Sequence, residues 1–255
     1  MPVTVEHEEH VAVVTLDRPG KRNAMDAEMT AALDDALNRL DDDPGVRVIV
    51  LASSSSVFSA GTDLRTGSGG PTGRGGPYGI ARRTHRTPIV AAVEGPALGG
   101  GFEIVLACDL VVASTGASFG LPEVSRGVVA TCGGLFRTHR ALPLNLATEL
   151  LLTGDPIDAR RASELGLVNR LTEEGGALRE AVALATRIAR NSPVAVAATL
   201  RSLQLHAGAL DQLGWVTTDD ATHAVLASPD AAEGKRAFLE RRAPAWQGTT
   251  QPEER

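Results

Sequence analysis

The sequence predicts an α/β fold with an all-helical C-terminal region, on three observations. Over the first two thirds of the chain, β-branched apolar runs alternate with segments of helical period. From residue 193 onward the periodicity is helical throughout, with no strand-like run. The 255 residues are 43% hydrophobic and 22% charged, the composition of a globular chain long enough to bury a large core. The expected division is an α/β core over residues 1–192 and a helical region over 193–255.

Taken in order, residues 3–5 and 11–16 are β-rich and separated by Glu8-Glu9-His10, which predicts an opening hairpin. Met29, Leu33, Leu37 and Leu40 return every three or four residues and predict a helix over 26–40. Residues 46–51, 89–93 and 109–113 read as buried strands, with a short apolar helix over 100–108 between the last two. Residues 65–78 hold Gly67, Gly69, Gly70, Gly73, Gly75 and Gly76 with Pro71 and Pro77, the composition of a mobile loop. Helices are expected over 177–190, 193–206, 209–227 and 229–242. Ser192-Pro193 and Ser228-Pro229 mark two starts, with proline at the first helical position.

Composition excludes several functions. A net charge of −6 and 3% aromatic residues argue against a nucleic-acid surface, which needs basic patches and stacking platforms. No apolar run approaches the ~18 residues of a membrane span, and Glu6, Glu8 and Glu9 stand where a signal peptide is basic. Cys108 and Cys132 are too few for a disulfide framework, so a cytoplasmic location with both thiols reduced is expected.

The segment 94–109 carries the strongest chemical signal. A buried strand runs into Gly99, Gly100 and Gly101, where a ligand can approach the backbone and a helix start offers free N–H groups. Glu103 is the one ionisable residue of that helix. It reads either as a first-turn acid complementing the dipole or, because its neighbours are all apolar, as a working carboxylate. Glu123, after Pro122, reads as a surface residue or as the second carboxylate of an acid–base pair. The turn at Gly61 is placed to supply the second N–H of a two-donor oxyanion hole. Arg65, Arg74, Arg82, Arg83 and Arg86 form a local +5, read as a solvated face or as a landing site for a phosphorylated ligand. Gly116-Ala-Ser118-Phe-Gly120 matches the nucleophile elbow of serine hydrolases, but Leu121-Pro122 opposes the helix that motif requires. His7 and His10 lack the spacing of a helical zinc site and fall in the hairpin, so no metal is expected.

Together these segments resemble the crotonase (enoyl-CoA hydratase/isomerase) superfamily. The matches are Phe58-Ser-Ala-Gly-Thr-Asp63, Ile89 through Glu103, Phe119-Gly-Leu-Pro-Glu123, Leu152-Thr-Gly-Asp155, residues 162–169 and Glu233-Gly-Lys-Arg-Ala-Phe238, in the family's order. The resemblance implies a spiral of ββα repeats with a C-terminal helical oligomerisation region, and a homotrimer or dimer of trimers. It implies an acyl-CoA thioester substrate, coenzyme A being part of that substrate, and no metal or redox cofactor. Carried over residue by residue, the thioester oxygen lies between the N–H groups of Thr62 and Gly100. Glu103 activates water and Glu123 delivers a proton to Cα. Lys21, Arg22, Ala24, Ala60, Gly61, Asp63, Leu64, Gly99, Gly101 and Pro122 are the implied substrate-binding positions. Retention of both glutamates favours an enoyl-CoA hydratase. The same two glutamate motifs also resemble carnitinyl-CoA dehydratase-type members, and an isomerase is a further family alternative. A non-catalytic acyl-CoA binder and a hydrolase using Ser118 are the readings from other classes.

Overall fold

The computed structural model describes residues 1–248. Residues 249–255, the end of the expected helical region, lie outside the described residues. The hairpin forms as its sequence predicts: β1 (Val3–Glu8) and β2 (Val11–Leu16) pair antiparallel, Val3 opposite Leu16. The helix α1 (Ala27–Asp42) starts where the Asp26 carboxylate accepts the Met29 N–H at 2.9 Å, an N-cap. Next come β3 (Val48–Ser53), β4 (Ile89–Val93), β5 (Ala97–Leu98), α2 (Gly100–Leu106), β6 (Leu110–Ser114) and β7 (Ser118–Gly120). Two helices, α3 (Gly134–Ala141) and α4 (Leu144–Thr153), lead to β8 (Ile157–Asp158), α5 (Ala159–Glu164), β9 (Arg170–Thr172) and α6 (Ala177–Ala189).

The strands form two sheets built by one spiralling path. The larger has the order β1-β2-β3-β4-β6-β9 and the smaller β5-β7-β8. In the larger sheet every pair after the hairpin is parallel. Parallel bridges between Met25 and Thr62 and between Ser59 and Ala97 continue the small stack upstream of β5. Each pass of the chain therefore lays one strand on the large sheet and one short strand on the small one. Alternation along β3 and β4 sorts the apolar side chains between two faces. Val48, Val50 and Val90 pack with Ala181 and Ala185 of α6. Ile49, Leu51, Ile89 and Ala91 face the cluster that holds α1, α2 and the small sheet.

The two expected tail helices are one, α7 (Pro193–Leu226), 34 residues long, followed by α8 (Pro229–Glu240). The expected break falls at Gly208, which has no neighbour within 4 Å of its would-be Cβ. A lone glycine costs a helix about 1 kcal/mol and does not end it without a proline or a cap. One face of α7 meets the core, with Gly214 against the Phe136 ring and Trp215 edge-on to Phe136 at 5.0 Å. Leu203, Leu205, Leu210, Leu213 and Val216 stay exposed.

Residues 65–86 depart from the expected mobile, solvated loop. Tyr78, Ile80 and Ala81 are buried, and Arg74, Arg82 and Arg83 face carboxylates elsewhere in the fold. Arg83 is buried and pairs with Asp34 of α1, while Arg74 reaches Asp41 at 3.1 Å and Asp42 at 2.7 Å. Arg86 donates to the Asp41 carbonyl, and Arg82 lies 4.1 Å from the Trp215 ring centre with Asp219 at 3.9 Å. Arg74 and Arg83 are thus paired with acids distant in sequence, while Arg65, Arg82 and Arg86 stay exposed. Breaking a buried pair from one side strands the other charge and typically costs about 3–5 kcal/mol. Arg83→Gln is expected to lose about that much stability in urea unfolding, because Asp34 stays buried.

Candidate active site

The Gly99–Gly101 run brings two stretches of backbone together. β5 ends at Leu98, Gly99 turns the chain at φ 56°, and Gly100 is the first residue of α2. A Cβ on Gly61 would lie 2.7 Å from the Gly100 nitrogen, and one on Gly101 would lie 2.2 Å from the Ser59 carbonyl oxygen. Only glycines permit that approach. Met25 anchors the 61–63 turn, donating to the Gly61 carbonyl at 2.8 Å and accepting from Asp63 N–H at 2.9 Å. The N–H groups of Gly100 and of Thr62, the residue after Gly61, donate to no acceptor among the described residues. Two unpaired donors are what a developing oxyanion requires.

The carboxylates sit close by. Glu103 is 1% exposed, and its Oε1 accepts from the N–H groups of Cys132 at 2.6 Å and Gly134 at 2.9 Å. It does not serve its own helix start. Burial pushes its pKa up to about 7, against the lowering effect of those two amides. Glu123 stands on the 3₁₀ turn Pro122–Arg126 rather than on an exposed loop. Its Oε2 is out of solvent and without a partner, and its Oε1 is 3.1 Å from where a Gly99 Cβ would be. Burial first, and then the charge of Glu103, pushes Glu123 up to about 8. Both carboxyls are thus raised toward neutrality, Glu123 above Glu103.

The turn bearing Glu123 is clasped by the C-terminal helix. A Cβ on Gly234 would lie 2.0 Å from the Arg126 carbonyl oxygen, and one on Gly127 would lie 2.3 Å from that of Asp230. Arg126 covers the Phe238 ring at 4.2 Å.

The remaining expected positions divide into those gathered at the site and those beside it. Ala60 N–H donates to the Arg22 carbonyl at 3.0 Å, so Lys21, Arg22 and Ala24 adjoin Ala60, Gly61 and Asp63. Lys21, Arg22 and Ala60 are exposed, while Ala24 and Gly61 are buried and Leu64 is half-buried. Asp63 has a structural task, since its carboxylate accepts from Arg65 N–H at 3.0 Å and from Arg18 at 3.1 Å. Those bonds hold its pKa down. Ser118 lies within β7 opposite Asp158, with no strand–turn–helix elbow. His7 and His10 are exposed, and no cluster of three metal-ligating residues occurs among the described residues.

Two residues of the site were not legible in advance. Tyr78, within the glycine-rich stretch, is 3% exposed, and its hydroxyl bonds to Thr62 Oγ1 at 2.7 Å. Cys132 supplies a backbone donor to Glu103, and burial pushes its thiol up, away from thiolate chemistry. Tyr78 is the sole tyrosine of the chain, the one sequence signal that set it apart.

The fold is a spiral α/β scaffold that brings two glutamates to one glycine-rich helix start. The chain matches the enoyl-CoA hydratase/isomerase family over residues 6–249 and belongs to that family. It is 38% identical to enoyl-CoA hydratase EchA19 of Mycobacterium tuberculosis over 253 residues, 95% of each chain. It is 37% identical to a carnitinyl-CoA dehydratase of Salmonella typhi over 246 residues, 92% of this chain and 94% of the relative. Among solved structures it superposes on EchA1_1 of Mycobacterium paratuberculosis with a TM-score of 0.91 and 41% identity, covering 97% of this chain and 99% of the other. The architecture is the crotonase-like spiral that the sequence predicts.

Proposed function

We propose that this protein is an enoyl-CoA hydratase, adding water reversibly across the 2,3 double bond of a trans-2-enoyl-CoA thioester. One observation carries the reading. Buried Glu103 and half-buried Glu123 come from different elements to one helix start, where the Thr62 and Gly100 N–H groups have no acceptor among the described residues. Ionised Glu103 takes a proton from water as its oxygen attacks Cβ. The double-bond electrons move onto the thioester oxygen, where the N–H groups of Thr62 and Gly100 stabilise the enolate. Protonated Glu123 then delivers its proton to Cα. Water is added with no net oxidation or reduction, so no redox cofactor takes part in this reading. Lys21 and Arg22, exposed at the turn beside Ala60, are placed for the coenzyme's phosphates. Gly61, Leu64, Gly99, Gly101 and Pro122 border the acyl thioester. Water loss from a hydroxyacyl-CoA uses the same groups in reverse, so a carnitinyl-CoA dehydratase-type activity is the second reading, supported by that relative. The exposed leucines of α7 support a homotrimer or a dimer of trimers, and two free cysteines suit a cytoplasmic setting.

Crotonyl-CoA tests the proposal. Loss of its conjugated absorbance with the thioester intact is the expected result. Release of free thiol would identify a hydrolase, and tight binding without turnover a carrier. The pH profile is a second check. Below about 7 both carboxyls are protonated and the base is lost; above about 8 both are ionised and the acid is lost. A bell-shaped kcat/KM with its maximum between those flanks is expected.

A further inference from the structure

We propose that Tyr78 is a positioning residue of the oxyanion site, tying the Thr62 turn to the start of α2 so that the two N–H groups keep their spacing. The inference rests on the hydratase reading and deepens it. The Tyr78 hydroxyl is bonded to Thr62 Oγ1 at 2.7 Å, and a Cβ on Gly100 would lie 2.4 Å from the same hydroxyl oxygen. One buried phenol therefore touches both residues whose amides face the reacting oxygen.

The chain holds Tyr78 there against its own backbone preference. Its φ is 55° and its ψ is 9°, the left-handed region that a bulky residue enters only when its surroundings impose it. The surroundings are explicit. Gly79 packs against the Thr30 carbonyl and the Asp34 N–H of α1, and Gly76 exchanges two hydrogen bonds with Thr72. Arg83, paired with Asp34, donates to the Gly79 carbonyl at 3.1 Å. The arginine-rich stretch, expected to be a solvated face or a phosphate landing site, is thus the mount that fixes the phenol. Burial raises the phenol well above its ordinary pKa, so it remains a neutral hydroxyl at working pH. The phenol is held on its other side by a hydrogen bond with the Cys132 side chain.

The test is Tyr78→Phe, which keeps the ring and deletes the bond, beside Thr62→Ala, Thr62→Ser and the Tyr78→Phe/Thr62→Ala double variant. Tyr78→Phe is expected to lower kcat about tenfold, less than the ~10²–10³ lost with a whole donor, with KM within twofold. Thr62→Ala should match it, Thr62→Ser should restore the rate, and the double variant should be no worse than either single one, because both act through one bond. A second readout is the enolate absorbance of a bound 3-ketoacyl-CoA, which reports the oxyanion site without turnover and should fall in Tyr78→Phe. A Tyr78→Phe protein with unchanged kcat and unchanged enolate signal, altered only in Tm, overturns the proposal, as does strict additivity in the double variant. If Tyr78→Phe fails to fold, the Thr62 series decides alone, full activity in Thr62→Ala being the overturning result. A parent protein that hydrates no enoyl-CoA yet loses its enolate signal in Tyr78→Phe would defeat the hydratase reading and leave this one standing.

Discussion

Glu103→Gln and Glu123→Gln are each expected to lose about 10²–10⁴ of hydration rate, the usual worth of a positioned acid or base, while folding normally. Glutamine keeps the shape, and its carbonyl can still accept from Cys132 and Gly134 N–H, so the Glu103 pocket has no structural reason to collapse. The double variant should be little worse than either single one, since no turnover is completed without both the base and the acid. Steady-state hydration of crotonyl-CoA is the measurement, and near-parental rates in either variant would remove the paired-carboxylate mechanism. The same substitutions should raise stability on the alkaline side. Both carboxyls have folded values, about 7 and about 8, above the ordinary 4.5. Their contribution to stability is full below about 4.5 and is lost as pH climbs through 7 and 8. An amide has no such loss. Above pH 8, Glu123→Gln should melt at least ~2–4 °C higher than the parent, the shift about 1 kcal/mol produces in a chain of this size.

Gly61→Val is expected to remove catalysis by a different route. Its Cβ would meet the Gly100 nitrogen at 2.7 Å and the Leu98 carbonyl oxygen at 2.9 Å, and a β-branched residue is strained at φ 82°. Relief requires the turn and the helix start to separate, which destroys the donor pair. A fall in kcat/KM of at least ~10²–10³ follows from losing one oxyanion donor, and the melting temperature should fall as well. Gly70→Ala and Gly73→Ala are the controls, having nothing within 4 Å of the added Cβ and no positive φ; both should be silent. A Gly61→Val enzyme of ordinary kcat would show that the two amides are not a working pair.

What the sequence revealed followed from how locally each feature is encoded. Gly99–Gly101 and Glu103 were legible because close approach, helix start and lone carboxylate lie within five residues. The hairpin and the buried strands were legible from their apolar runs. Glu123 was half-legible, since nothing next to Pro122 tells that α8 and the small sheet enclose it. Tyr78 was hidden because a run of glycine and proline reads as loop whatever it packs on. Its anchors, Asp34 and Asp41, lie more than thirty residues upstream on α1. The continuity of α7 was missed for a related reason: glycine marks a helix end only where a turn accompanies it, and Gly208 has none.

The clasp of α8 on the Glu123 turn sets an order of assembly. Translation delivers Glu123 well before residues 229–240, and at about 5–20 residues per second the interval is several seconds. The β3–β4–β6 stack can form in that time from segments already made, while the turn of the proton donor still lacks Gly234 and Phe238 at its back. A fragment cut at residue 192 is expected to lack that backing for good, and with it the support of the proton donor that the proposed mechanism requires.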